Sequence, residues 1–453
     1  MTHFFRNLTC ANEIGANSYY LEVGGTKLVL DSGMHPKREA RESLPHHQTI
    51  RDEVLDAILV THSHLDHVGS LPVLMRQHPA AEVHMTEPCR ALAEAMLHNS
   101  VNVMMSKREE LDITEYPFFS HGELDDLFPG IRGHGLEKAF YLDRSEVVVS
   151  FHDAGHILGA AGVLLEHGGK RLFYTGDVNF DSQTILQGAN FPQEPVDVLI
   201  METTRGDAPR PPGFSRAREI ERLADCIEAT FDRAGGVLIP VFAIGKTQEL
   251  LLTLNQLKID GKIRNAPIHI GGLSTKMTTI YDKFAHRWPR HYPGFRILDQ
   301  MSVTVASRKR RKAIRYSPGS LYALSSGMMT ENTVSNGFAR HFLPNSRNGL
   351  FFVGYADPDS PAGKILAAQP GEQIELDPRQ RTVPLECQVE RFDFSGHADR
   401  EALRAYANQL QPKKIFLVHG DRQASEWFQQ TLSADMPACE VLLPEPGQDI
   451  PLW

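Results

Sequence analysis

A chain of 453 residues is too long for one ordinary hydrophobic core, so two domains are expected. With 41% hydrophobic and 23% charged residues it reads as a soluble globular enzyme; no apolar run reaches transmembrane length and Met1 to Cys10 lacks a signal-peptide core, so neither a membrane-embedded nor an exported protein is expected. Five scattered cysteines (Cys10, Cys89, Cys226, Cys387, Cys439) with no CxxC pair point to a reducing cytoplasm, and a formal net charge of -9 gives no pointer to nucleic acid, although an acidic protein can hold a polyanion in a local basic or metal-rich cleft.

Ser18 to Val23 and Lys27 to Leu30 read as a hairpin around Gly24-Gly25, and its second strand stops at Asp31. The apolar run Ile58-Leu59-Val60 reads as a buried strand and leads into Thr61-His62-Ser63-His64-Leu65-Asp66-His67. Imidazole and carboxylate are the donors that zinc and similar borderline metals take. His62 and His64 alternate onto one side of an extended segment, with Asp66 and His67 one turn on. Four donors split two and two suit a pair of metals better than one closed structural site. Leu71 to Gln77 and Glu94 to Lys107 read as helices, and Asp112 to Arg144 as irregular and polar.

Further strands repeat the arrangement. Val147 to Phe151 precedes His156, Arg171 to Tyr174 precedes Asp177, and Val196 to Met201 precedes Glu202. Near the end, Val389 to Phe394 precedes His397 and Lys414 to Val418 precedes His419. Ligands of layered α/β proteins gather where strands end and loops converge. Metal-ligand or acid/base residue types after seven separate strands leave little room for coincidence.

The middle of the chain has no histidine cluster. Ser215 is a candidate N-cap for a helix carrying Ile220, Leu223, Ala224, Ile227 and Phe231, closed by Gly235-Gly236. Val237 to Phe242 reads as a buried strand, and Gly245-Lys246-Thr247 opens the next helix. The upstream glycine of a phosphate loop would fall on Pro240, so nucleotide binding of that type is not expected. This rhythm implies a second α/β layer system with its own parallel sheet. Ser325-Ser326-Gly327, after the strand Leu321 to Leu324, fits either an oxyanion or phosphate cradle or a simple tight turn.

Asp31, the THSHLDH string, His156 in GHILGA and Asp177 in YTGD together resemble the metallo-β-lactamase fold. METTRGD, VLIPVFAIGKTQELL, SSGM, VGY, FSGHAD and LVHG, in this order over nearly the whole chain, resemble the β-CASP nucleases of that fold. The resemblance implies an α/β protein: an αββα metallo-β-lactamase sandwich at 1–207 and 367–453, with an inserted α/β β-CASP domain at 208–366. It implies that His62, His64 and His156 bind one zinc, that Asp66, His67 and His419 bind a second, and that Asp177 bridges the two. Asp31 would orient the loop as an acceptor behind the ligands, and Glu202 and His397 match the family's added acid/base pair. A histidine at position 419 goes with the family's RNA-processing members.

The activity so implied is zinc-dependent hydrolysis of RNA phosphodiester bonds by a hydroxide bridging two zinc ions. Asp31, Asp66, Glu202 and His397 form the catalytic set, and Ser325, Ser326, Lys246 and Lys364 are candidate contacts to backbone phosphates. The partner expected is single-stranded RNA, with no membrane, and homodimer formation is left open. The rival readings are a DNA nuclease of the same fold, a small-molecule (thio)ester hydrolase and a non-catalytic scaffold. Three stretches depart from the family pattern: Thr204-Arg205-Gly206-Asp207, Thr330-Glu331-Asn332, and Asp357-Pro358-Asp359 with Gly363-Lys364. They bear on substrate choice rather than on the metal site.

Overall fold

In the computed structural model, which describes residues 3–143, 145–305 and 314–453, the first hairpin forms from Tyr19–Val23 and Thr26–Leu30, paired antiparallel. Its side chains alternate as a two-sided strand requires. Tyr19, Leu21, Val23, Leu28 and Leu30 enter one core, and Tyr20 and Val29 enter another. The hairpin lies within a seven-stranded sheet ordered Asp449–Pro451, Phe4–Asn7, Tyr19–Val23, Thr26–Leu30, Ala57–Leu59, Glu82–Thr86, Arg132–His134. A second seven-stranded sheet runs Glu440–Leu442, Lys414–Val418, Val198–Glu202, Lys170–Tyr174, Ala161–His167, Val148–Asp153, Phe140–Tyr141. The inner faces share one core, where Phe5 of the first sheet stacks on Phe416 of the second with ring centroids 4.4 Å apart. The outer face of the first sheet buries Ala93, Leu97, Val101 and Met104 of the helix Glu87–Leu111. The helix Arg400–Leu410 lies on the outer face of the second, with Tyr406 against Phe173. The layers are therefore helix, sheet, sheet, helix.

These elements form one compact unit, Met1–Ser182, Gly188–Arg210 and His397–Trp453; Gln183–Gln187 and Pro211–Gly396 form the other. The second unit is built on six parallel strands ordered Val303–Val305, Ile268–Gly271, Leu321–Leu324, Val237–Pro240, Gly349–Phe352, Gln388–Arg391. Phe338, Phe342 and Ile365, from the helices Val334–Phe342 and Pro361–Ala367, pack on Leu238, Tyr322, Leu350 and Phe352.

Three sequence expectations need correction. The helix expected at 94–107 runs Glu87–Leu111, because Thr86 caps it by accepting from Cys89 N and Pro88 is harmless in its first turn. The stretch 112–143 is not all irregular: it holds the helix His121–Leu127, the edge strand Arg132–His134 and the edge strand Phe140–Tyr141. Short edge strands carry little apolar periodicity, so they leave no pattern to read. Arg144, which closes that stretch, lies outside the described residues. The strand expected at 389–394 is Gln388–Arg391, and it pairs with Gly349–Phe352 in the second unit's sheet. Residues 211–396 group in the second compact unit. Among the described residues no helix is long and apolar enough to cross a membrane.

Candidate metal centre and acid/base pair

The strand Ala57–Leu59 delivers the histidine loop, which tightens into the short helix Leu65–Val68. Asp31 follows the neighbouring strand in the left-handed region, with φ 58°, a conformation aspartate tolerates better than most residues. The two loops press together so closely that a Cβ on Gly33 would sit 1.8 Å from the Asp66 carbonyl oxygen. Gly176, at φ 54°, leaves its Cβ space to Thr61 and lets the chain turn into Asp177.

Two donor sets converge on Asp177. His62, His64, His156 and Asp177 form one, and Asp66, His67 and His419 form the other; in each, the donor atoms lie within 4.8 Å of one another. In the first, His62 Nε2 is 3.1 Å from His64 Nδ1, His156 Nε2 is 3.2 Å from His64 Nδ1, and Asp177 Oδ2 is 3.4 Å from His62 Nε2 and 3.6 Å from His156 Nε2. In the second, His419 Nε2 is 3.4 Å from Asp66 Oδ2 and His67 Nε2 is 4.0 Å from it. Asp177 Oδ1 reaches across, 3.2 Å from His67 Nε2 and 3.4 Å from His419 Nδ1. A tetrahedron with bonds of about 2.0–2.1 Å has edges of roughly 3.3 Å, so the first set is already spaced as zinc donors are. Asp177 Oδ1 is buried and accepts no hydrogen bond. A buried carboxylate oxygen without a donor calls for a cation.

Electrostatics point the same way. Burial drives the pKa of His62 and His64 down and leaves both neutral, the form in which imidazole binds metal. Burial would raise Asp177, but His419, His67, His62 and His397 hold it well below the usual carboxylate range. Burial likewise opposes ionisation of Asp66, yet the neighbouring His419 and His67 bring its pKa to about 2. For His67 burial opposes charge, and Asp177 and Asp31 on either side raise its pKa well above normal. Those surroundings ask for positive charge at His67 Nε2, which a proton or a metal cation can supply.

Asp31 stands behind this set rather than in it. Its buried carboxylate accepts from Thr61 N at 2.7 Å, Thr61 Oγ1 at 2.8 Å, Tyr174 OH at 2.8 Å and His67 Nδ1 at 2.8 Å. Holding the Nδ1 proton of His67 leaves its Nε2 lone pair facing Asp177. Sequence reasoning missed Thr61 and Tyr174 as the partners of Asp31, although each is the first residue of a recognised string. It also missed Asn17, which binds the Asp66 carbonyl through its backbone N at 2.9 Å and its side chain at 3.0 Å. A lone asparagine before a strand gives no signal of such a role.

Glu202 and His397 make a pair beside the donors. His397 Nδ1 lies 3.0 and 3.2 Å from the two Glu202 oxygens, and its Nε2 is 3.9 Å from Asp177 Oδ2. Glu202 is the last strand residue, is buried, and accepts from Val178 N at 2.6 Å. Ala398 N donates to Val178 O at 2.6 Å, so the Asp177 loop is stitched to both members of the pair. The His397 side chain is 23% exposed against 1% for Glu202, which makes the imidazole the accessible partner.

Every expected metal donor, with Asp31, Glu202 and His397, thus falls in the first unit. Ser325, Ser326, Lys246 and Lys364 belong to the second. Ser325 and Ser326 leave the strand Leu321–Leu324 in a turn closed by Met329 N on Ser326 O, and Thr330 N donates to Ser326 Oγ at 3.3 Å. Lys246 donates to the Phe394 carbonyl, and Lys364 is exposed on the helix Pro361–Ala367.

Comparison with known proteins bears on this geometry. The metallo-beta-lactamase superfamily profile matches residues 11–228, the Beta-Casp domain residues 247–365, and the Zn-dependent metallo-hydrolase RNA specificity domain residues 382–444. Transcription termination factor FttA of Methanocaldococcus jannaschii is 30% identical over 454 residues, 93% of this chain and 67% of that protein. The chain belongs to the β-CASP family of the metallo-β-lactamase superfamily. Within it, a ribonuclease of Thermus thermophilus is 29% identical over 98% of both chains. Cleavage and polyadenylation specificity factor subunit 3 of Dictyostelium discoideum is 29% identical over 97% of this chain. The chain spans about half the length of two of these curated relatives, 56% of the Dictyostelium protein and 54% of an endoribonuclease of Candida glabrata. A crystal structure of a protein of unknown function from Enterococcus faecalis V583 shares the fold over 100% of both chains, with TM-score 0.61 and 12% identity. The metallo-β-lactamase fold implies metal ions, and the donor sets around Asp177 fit them.

Proposed function

We propose that this β-CASP protein is a zinc-dependent ribonuclease that hydrolyses phosphodiester bonds of single-stranded RNA in the cytoplasm. The observation that carries the reading is the meeting at Asp177 of two donor sets and the Glu202–His397 pair. His62, His64 and His156 would hold one zinc, Asp66, His67 and His419 the other, and Asp177 both. Two such ions supply a water whose pKa falls to about 7 and neutralise charge on the phosphate oxygens.

The chain's own residues do the rest. Asp31 and Asn17 fix the loop that carries Asp66 and His67. With Nδ1 committed to Glu202, His397 turns Nε2 toward the scissile phosphate and protonates the leaving 3′ oxygen, which yields a 5′-phosphate and a 3′-hydroxyl. Glu202 keeps that imidazole oriented and stabilises its charged form, as a carboxylate behind a histidine does in other hydrolases. Ser325, Ser326 and Lys364 would contact backbone phosphates, and Lys246 would do so by giving up the Phe394 carbonyl. The names of the relatives, an endoribonuclease and a ribonuclease among them, and the match to an RNA specificity domain support RNA as substrate. Five free cysteines fit a reducing compartment.

The test is incubation of zinc-loaded protein with end-labelled RNA, a matched DNA and a thioester, reading product ends and polarity. RNA products ending in 5′-phosphate are expected. DNA cut as fast as RNA, or thioester turnover with intact RNA, would overturn the assignment.

A further inference from the structure

The strands Val198–Glu202 and Lys414–Val418 pair in parallel with Glu202 opposite Val418, so the loops that leave them run side by side. Thr204 and His419 meet there. His419 is held at φ 50°, and a Cβ on the next residue, Gly420, would lie 2.1 Å from Thr203 Oγ1. The imidazole therefore has little freedom of position. Which nitrogen it offers is a separate question, because Nε2 lies 3.4 Å from Asp66 Oδ2 and Nδ1 lies 3.4 Å from Asp177 Oδ1. A neutral imidazole has one lone pair and one N–H, and equal distances to two carboxylates do not choose between them.

Thr204 makes the choice. Its hydroxyl oxygen lies 2.9 Å from His419 Nδ1 and 3.2 Å from the His419 carbonyl oxygen. The hydroxyl has one proton, and a carbonyl oxygen only accepts. Both contacts are hydrogen bonds only when the hydroxyl donates to the carbonyl and accepts from Nδ1–H. The carbonyl also accepts from Thr203 N at 3.2 Å, which its second lone pair accommodates. In the opposite arrangement the hydroxyl donates to Nδ1, its contact to the carbonyl is lost, and Nε2–H points at Asp66 as an ordinary hydrogen bond that blocks a cation.

We infer that Thr204 is a positioning residue that fixes the tautomer of His419, so that Nε2 is the nitrogen offered to the metal shared with Asp66 and His67. The inference rests on the proposed two-metal centre. It makes Thr204 the counterpart of Asp31, which holds Nδ1 of His67 in the same way but with a carboxylate. Side chains that orient a metal ligand from behind are typically worth 10–100-fold in affinity.

The experiment measures zinc binding to metal-free full-length protein by equilibrium dialysis with elemental analysis, for wild type, Thr204→Val, Thr204→Ala and Thr204→Ser, alongside nitrogen NMR of labelled histidine. Wild type is expected to take two zinc ions. Thr204→Val, which keeps shape and loses the hydroxyl, should weaken one of them about 10–100-fold and leave the other unchanged. Thr204→Ser should restore it, and His419 should carry its proton on Nδ1 in wild type and Thr204→Ser only. If Thr204→Val does not fold, Thr204→Ala carries the same expectation. Two zinc ions held at wild-type affinity by the folded variant would overturn the role of Thr204 and leave the two-metal reading intact. Wild type that binds fewer than two would overturn that reading, and this inference with it.

Discussion

In the first unit several strands end in buried ionisable groups, while in the second unit the strand Leu321–Leu324 runs into Ser325-Ser326 and its neighbour Ile268–Gly271 into Gly272. The groups around Asp177 are fixed one by one: Asp31, behind the donors, by four hydrogen bonds, Glu202 by Val178 N, and the Asp66 carbonyl by Asn17. The Ser325–Ser326 turn is tied by neutral groups: Met329 N, Thr330 N, Ser335 N and Oγ, and the Gly271 carbonyl. Buried charge explains the difference, since an ionised group out of water costs several kcal/mol unless partners are fixed around it. Half-buried hydroxyls carry no such penalty and can trade one acceptor for another. One edge is built for a single geometry, and the other has the exchangeable partners that the proposed phosphate contacts require.

The comparison breaks most readily at the metal donors. His64→Ala should lose zinc and cleavage together, because His64 Nδ1 is the atom both His62 and His156 face. His397→Ala should keep both zinc ions and lose about 10²–10⁴-fold in cleavage, the usual contribution of a positioned general acid. Elemental analysis beside single-turnover rates separates the two, and zinc loss in His397→Ala would contradict the division between metal donors and the acid/base pair. Asp31→Asn replaces an acceptor-only carboxylate with an amide facing four donors. About 10–100-fold weaker zinc binding and about 1–3 kcal/mol lower stability are expected, read by dialysis and by chemical unfolding. The smallest effect should come from Ser326→Ala, which removes one half-buried hydroxyl of the second unit. KM for RNA should rise by the equivalent of about 0.5–1.5 kcal/mol with kcat and zinc content unchanged. A fall in zinc content there would erase the distinction between the two edges.

The site was legible in sequence wherever chemistry follows a strong strand. His62, Asp177 and His419 each stand just beyond a buried apolar run, and hydrophobic pattern plus residue type locates them. His397 was legible by its string but not by its strand, because Gln388–Arg391 pairs with the second unit and ends well before it. That pairing is a tertiary choice with no local signature. Asp31 shows the limit most clearly. A turn aspartate is the ordinary reading, and only the convergence of Thr61, Tyr174 and His67 on its carboxylate tells it apart. The helix His121–Leu127 and the edge strands near it escaped because short exposed elements bury too little to impose a period.

The most direct measurement pairs zinc content with RNA cleavage in one titration. Wild-type protein stripped by chelator is expected to cut nothing, and activity should return as the second equivalent of zinc is taken up. Undiminished cleavage of RNA by protein shown to hold no metal would contradict the two-metal centre around Asp177.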